Sequence, residues 1–372
     1  MRIVFWQNCL SPHQLPYICH LMDDDRVDEV IIVAEEEISA ERKRMGWQLG
    51  DYCGIERCKL YIKPDDGVIY RLLEEKQDES VHLFSGIHSF PYIFKCLKMS
   101  LSYKIKRGII TEIPYTYAWG CKNGKPLWLH RIRFFLQDKK YAKKMDYVFA
   151  MGKKATRYFQ SVHKGWNVFP FIYCTTSGNE SYYETEFGMM KVLFVGSLNR
   201  RKSPELISYS LAACIRRNND FKIHVTYIGD GEKRAEINRI IKKNHIETFV
   251  TFAGFQHQNK ILSWMVKNDI LILPSIHDGW GAVVNEALHA GMYVICSDAC
   301  GASDLLEDKR IGQKFQASNV QQLTDILEWC NKYINEIRAN RDIRRQWAEE
   351  HISGKVVAKY MVDCLSKFFN NK

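Results

Sequence analysis

From Ile3 to Cys296 the chain alternates short apolar runs with longer amphipathic stretches, and this alternation limits its fold more than any other feature. The candidate strands of the first half are Ile3–Trp6, Val30–Val33, Leu60–Ile62, Val81–Phe84, Gly108–Thr111 and Tyr147–Ala150. Those of the second half are Lys191–Val195, Ile223–Ile228, Phe249–Phe252, Asp269–Leu273 and Tyr293–Cys296. A run apolar throughout, rather than at every second residue, suits a strand buried on both faces, which means a parallel sheet covered by helices. The stretches between them carry helical patterns, as in Val68-Ile-Tyr-Arg-Leu-Leu-Glu-Glu and Pro204-Glu-Leu-Ile-Ser-Tyr-Ser-Leu. The predicted class is α/β with two doubly wound, Rossmann-like parallel sheets.

A chain of 372 residues exceeds one ordinary core and suits two domains. The polar stretch Cys174-Thr-Thr-Ser-Gly-Asn-Glu-Ser-Tyr-Tyr-Glu-Thr-Glu shows neither period and separates the two strand series. Residues 1–172 are therefore expected as one domain, 173–190 as a linker and 191–353 as a second domain. The tail is read as helical, with Ser318 capping Val320–Ile337 and a terminal helix in 354–372 that packs back toward the N-terminal domain.

Hydrophobic residues make up 46% and charged residues 26% of the chain, the balance of a soluble globular enzyme. A net charge of +10 asks for an anionic partner and leaves nucleic acid, acidic lipid and a diphosphate open. The 12 cysteines are scattered and form no Cys-x-x-Cys unit, which argues against structural zinc and fits a reducing compartment. Asp23-Asp-Asp25 resembles a metal-binding acidic motif but ends a helical stretch rather than a strand, and no metal site is assigned. The first residues are too short an apolar run for a signal peptide, and no run approaches the length of a membrane span. The expected location is the cytoplasm, with room for a peripheral seat on the inner face of the cell membrane.

In open α/β sheets, ligands bind beyond the carboxyl ends of the strands. After Val192-Leu-Phe-Val comes Gly196-Ser-Leu-Asn-Arg-Arg201-Lys202-Ser-Pro, a glycine turn and a run of cations ahead of a helix. Such a loop suits a diphosphate, and it equally suits a solvated basic turn. Tyr227-Ile-Gly229-Asp-Gly231 and Thr251-Phe-Ala-Gly254-Phe255 are weaker glycine turns at strand ends. Ile270-Leu-Ile-Leu-Pro-Ser leads into Asp278-Gly279-Trp280-Gly281, and Glu286 follows about a turn inside the next helix. Both carboxylates can face one cleft, where each would accept hydrogen bonds from adjacent sugar hydroxyls. The other reading makes Asp278 a residue of the helix cap and Glu286 a surface residue.

The sequence Pro-Ser, carboxylate, Gly-aromatic-Gly and Glu-Ala, together with the Gly-Ser-Leu…Arg-Lys loop and Gly291-Met-Tyr-Val-Ile-Cys-Ser-Asp298, resembles the E-x7-E signature of family-four retaining glycosyltransferases. The resemblance spans roughly residues 190–330. It implies a GT-B architecture, two Rossmann-like domains facing a cleft, with the first binding acceptor and the second binding a nucleotide-diphosphate sugar such as a UDP-sugar. It implies retaining transfer with no cofactor beyond the donor. Glu286 is implied to hold the ribose hydroxyls, and Asp278, where a glutamate is usual, the hydroxyls of the transferred sugar. Gly279, Trp280 and Gly281 would offer backbone amides, and Lys202 matches the diphosphate lysine. Gly196, Gly229 and Phe255 complete the implied donor site. Ser197 stands where an arginine is usual, so Arg201 is proposed to supply that charge. In the first half, Glu112 falls where the family often has a catalytic histidine, and His13 lies on the first loop; both are candidates for the reacting centre.

Between Lys95 and Lys164 the acidic residues are only Glu112, Asp138 and Asp146. Pro126–Lys144 is amphipathic, with aromatic residues beside cations, and suits either an anionic bilayer or a core helix with a solvated face. It lacks a nucleic-acid module, so no nucleic-acid partner is assigned. On the first reading the acceptor is a saccharide linked to a polyprenyl diphosphate, and the product is a surface polysaccharide or glycoconjugate. A nucleotide-sugar epimerase of similar shape and a non-catalytic membrane scaffold are the alternatives.

Overall fold

The computed structural model describes residues 1–39, 42–43, 55–113, 127–162, 164–175 and 188–369. They form two compact units: the described residues up to 175 together with 352–369, and residues 188–351. Most of the expected linker, 176–187, lies outside the described residues, while Tyr173 to Thr175 belong to the first unit.

The first unit is built on a seven-stranded sheet in the order β3-β2-β1-β4-β5-β6-β7. Its strands are β1 Arg2–Cys9, β2 Glu29–Glu36, β3 Lys59–Ile62, β4 Ser80–Phe84, β5 Lys106–Thr111, β6 Tyr147–Met151 and β7 Asn167–Phe171. Every neighbouring pair runs parallel. On one face Val4, Trp6, Ile31, Val33 and Phe84 pack against Leu72, Leu73, Ile93 and Leu97 of the crossover helices Asp66–Glu74 and Pro91–Ser100. Asp65 caps the first of these helices by accepting a hydrogen bond from the Val68 amide at 2.9 Å. The C-terminal helix Gly354–Ser366 belongs to this unit: Asp363 pairs with Arg26 at 2.7 Å, and a Cβ on Gly354 would lie 2.4 Å from the Pro16 carbonyl oxygen.

The second unit holds a six-stranded sheet, β10-β9-β8-β11-β12-β13. Its strands are β8 Met190–Val195, β9 Ile223–Ile228, β10 Val250–Gly254, β11 Ile270–Leu273, β12 Tyr293–Ser297 and β13 Gly312–Phe315, again parallel throughout. Val192 and Phe194 join one core cluster, and Leu193 on the opposite face is equally buried, so helices cover both sides.

The α/β class with two Rossmann-like parallel sheets is therefore observed, and each predicted strand is present. Two strands escaped the sequence reading. β7 carries Pro170, and β13 is four residues with a half-polar sequence; both are edge strands, partly exposed, without a long apolar run. The predicted cap of the late helix also moves. Ser318 sits at φ 66°, and Asn319 is the residue that accepts the Gln322 amide at 3.0 Å. The helix ends at Lys332, and a separate one spans Ile334–Ala339.

Candidate functional site

In each sheet the strand order reverses once, between β1 and β4 in the first and between β8 and β11 in the second. A crevice opens at such a point because neighbouring strands send their crossovers to opposite faces. In the second unit the β8 loop carries Arg201 and Lys202, and the β11 loop carries Asp278. These residues meet there. Lys202 Nζ donates to Asp278 Oδ2 at 2.5 Å, and Arg201 lies 3.2 Å from Asp278 Oδ1. Arg201 also donates to the His277 carbonyl at 3.3 Å, and the Ile276 amide donates to the Arg201 carbonyl at 2.9 Å, so the two loops are stitched along their length. Asn199 shapes the β8 loop from within. Its side chain accepts the Lys202 amide at 3.0 Å, and its carbonyl accepts the Ser203 amide at 3.1 Å. Ser203 takes φ 48°, a left-handed conformation that costs a non-glycine residue on the order of 1 kcal/mol and turns the chain sharply after Lys202.

The glycines explain how the loops come so close. Gly229, after β9, has φ 125°, and a Cβ there would stand 2.0 Å from the Gly196 carbonyl oxygen. Gly281 has φ 94°, and a Cβ would meet Leu273 Cδ2 at 2.8 Å. The β11 loop is also latched to the chain after β12: the Gly301 amide donates to the Asp278 carbonyl at 3.1 Å and the Ala302 amide to the Trp280 carbonyl at 2.7 Å. Trp280 contributes a strut, since its buried indole donates to Asn285 Oδ1 at 2.8 Å. Its side chain is thereby committed to the core.

The two carboxylates of the motif are driven in opposite directions. Burial pushes the Asp278 carboxyl up, but Lys202 and then Arg201 outweigh it, and the net displacement is downward. Glu286 sits in the first turn of the helix Val283–His289, and burial raises it to about 7 against a smaller pull from Lys202. Asp278 is thus a firm anion, while Glu286 shares its proton near neutrality. Gly254 and Phe255 lie at the far side of this edge, where Gly254 accepts the Gly229 amide at 2.8 Å and the half-exposed Phe255 ring meets His257 edge-on at 5.7 Å. Among the described residues, no group of three or more His, Cys, Asp or Glu side chains is arranged to hold a metal. Asp23 is tied to His20 and Arg57 at 2.7 and 2.8 Å.

The first unit has its own concavity at its reversal point, a cavity of about 820 Å³ above β1, β4 and β5. Glu112, directly after β5, lines it and hydrogen-bonds the Tyr173 phenol. The His13 ring lies 6.2 Å from the Tyr173 ring, so the two predicted catalytic residues of this half flank one tyrosine. Burial, and then the charge of Arg42, hold His13 down at about 4, which makes it a neutral imidazole at physiological pH. Farther along the wall, His88 Nε2 lies 2.9 Å from Asp138 Oδ1. The predicted amphipathic helix here is three pieces: Leu127–Arg133, a π-helical turn Phe134–Asp138, and Lys139–Ala142. Tyr173, Arg42 and the His88–Asp138 pair were not legible as site residues. Each is isolated in sequence, and only the sheet order brings them together.

Two Rossmann-like parallel sheets are the fold of GT-B glycosyltransferases, and the solved structures this chain resembles include such enzymes. HepE of Anabaena, crystallised with UDP, aligns over 99% of this chain and 100% of its own, with a TM-score of 0.67 and 12% identity. A glycosyltransferase from Rickettsia africae aligns over 100% and 99%, with a TM-score of 0.69 and 11% identity. At the level of sequence, residues 188–350 match the family described as glycosyl transferases group 1. A D-inositol 3-phosphate glycosyltransferase of Arthrobacter is 25% identical over 38% of this chain and 34% of its own length. A Campylobacter jejuni N-acetylgalactosaminyltransferase acting on a diphospho-undecaprenol-linked sugar is 28% identical over 34% of this chain and 33% of its own. The chain thus spans about a third of the length of the curated relatives it matches.

Proposed function

We propose that this protein transfers a sugar from a nucleotide-diphosphate sugar to a saccharide acceptor, with retention at the anomeric carbon and without a metal. The observation that carries the reading is the meeting of Lys202, Arg201 and Asp278 at the β8/β11 reversal point, with Glu286 feeling the charge of the same lysine. Two cations on a loop that opens onto a helix suit a leaving diphosphate, whose growing charge they would stabilise. Asp278 now occupies them, so an incoming diphosphate would compete for Lys202 and leave Asp278 to accept hydroxyls of the sugar. Glu286 is cast as the ribose ligand. Gly196, Gly229, Gly279 and Gly281 let backbone approach the donor, and Phe255 offers a ring to the base. In the first unit, Glu112 and neutral His13 are assigned to the reacting centre, with Tyr173 orienting both. The acceptor is proposed to be linked to a lipid diphosphate, as the name of the Campylobacter relative states for that enzyme, and to be met at the cytoplasmic membrane face. Assembly of a surface polysaccharide or glycoconjugate follows as the role.

A thermal-shift screen of nucleotide sugars identifies the donor, because a ligand of the folded state alone raises the melting temperature. Transfer from that donor to a saccharide acceptor, followed by NMR of the product anomer, then tests the reaction. Glu286→Ala and Lys202→Ala are each expected to lower turnover by about a hundredfold or more with the fold retained. Near-full turnover in both variants, or an isomerised nucleotide sugar from donor alone, would overturn the reading.

A further inference from the structure

The segment that walls the first-unit cavity has a second face. Leu129, Arg133, Phe134 and Asp138 line the cavity. Trp128, Ile132, Phe135 and Leu136 instead lie exposed, Trp128 to 57% and Leu136 to 79%. Their spacing of four, three and one residues sets them along one side of the helix and its π-helical continuation. The exposed cations Arg131, Lys139, Lys140, Lys143 and Lys144 accompany these residues along the segment, with Lys139 Nζ 4.6 Å from the centre of the Phe135 ring. The one carboxylate between 127 and 144, Asp138, is held by His88 at 2.9 Å. What the segment offers outward is therefore apolar and cationic.

We propose that residues 128–144 dock this unit on an anionic bilayer, with Trp128, Ile132, Phe135 and Leu136 entering the headgroup boundary and the cations meeting anionic lipid. The cavity on the other face of the same segment then admits the saccharide head of an amphiphilic acceptor whose lipid remains in the membrane; this second half rests on the lipid-linked acceptor proposed above. Insertion of apolar side chains and attraction of cations to lipid phosphates act in the same direction. A second copy of the chain suits the surface poorly, because a two-fold contact would set cations against cations. Single-stranded nucleic acid asks for stacking rings, and Ile132 and Leu136 are aliphatic.

The test is flotation of the full chain with vesicles of phosphatidylcholine alone and of phosphatidylcholine with phosphatidylglycerol. The wild-type protein is expected to float with the anionic vesicles and to be released by salt. The combined variant Trp128→Ser, Phe135→Ser, Leu136→Ser is expected to lose about tenfold or more in partitioning, and Lys139→Glu with Lys140→Glu to lose the preference for anionic lipid. An unchanged melting temperature and unchanged UDP binding in both variants show that the fold and the donor site survive. Failure of the wild type to float, equal flotation of wild type and variants, or a concentration-dependent dimer lost in the serine variant would overturn the proposal. Flotation by a protein that transfers no sugar supports docking and refutes the transferase reading instead.

Discussion

Lys202 answers to two carboxylates, and the site's electrostatics follow from that division. It pairs with Asp278 at 2.5 Å and lowers its pKa, while Glu286 receives only a partial pull and rises to about 7. Carboxylates pushed apart in this way can serve different tasks. If Glu286 must be ionised to accept ribose hydroxyls, binding should follow its deprotonation. UDP affinity is expected to rise roughly tenfold between about pH 6 and pH 8, and Glu286→Gln to flatten that slope. Stability moves the other way. A carboxyl raised in the folded state above its ordinary 4.5 stabilises the fold when protonated, and that contribution fades as pH rises through about 7. Calorimetric titration across pH checks the affinity, and an unaltered slope in Glu286→Gln would move the titrating group elsewhere. The pairing of Asp278 with Lys202 was hidden in the sequence because 76 residues separate them. Only the adjacency of β8 and β11 closes the gap.

At the scale of elements, the strands announced themselves where helices bury them on both sides. β8, β9, β11 and β12 are apolar for most of their length because neither face meets water. β7 and β13 lie at sheet edges, partly exposed, and had no such run to show. The segment 127–142 departs from one continuous helix. Its amphipathic pattern holds, but a π-helical turn at Phe134–Asp138 interrupts it, which a strict helical period cannot anticipate. Loop geometry is the element-scale property on which the donor site depends most. Gly229 allows the β9 loop to touch the Gly196 carbonyl, so Gly229→Ala must move backbone that a 2.0 Å approach leaves no room to keep. The variant is expected to lose about 3 kcal/mol or more of stability in denaturant unfolding. Wild-type stability in this variant would mean that the two loops have freedom the structure does not indicate.

For the whole molecule, the second half was far more legible than the first. The glycosyltransferase match covers 188–350, where the motifs stand in order along successive strand ends. In the first half, the cavity is assembled from β1, β4 and β5 ends together with the 127–138 segment, and Arg42, His88 and Tyr173 carry no motif. Among the described residues no helix is long and apolar enough to cross a membrane. A net charge of +10 is consistent with two separate anionic partners, a diphosphate at Lys202 and Arg201 and a lipid surface at 128–144. The proposed function requires that the paired cations of the second unit bind a nucleotide diphosphate. Isothermal titration of UDP and UMP into the wild type and into Lys202→Ala measures that binding. UDP is expected to bind the wild type more tightly than UMP, and Lys202→Ala to weaken UDP about tenfold or more with little effect on UMP. Equal binding of UDP by the wild type and Lys202→Ala, or no binding of UDP at all, would rule out a diphosphate at these cations.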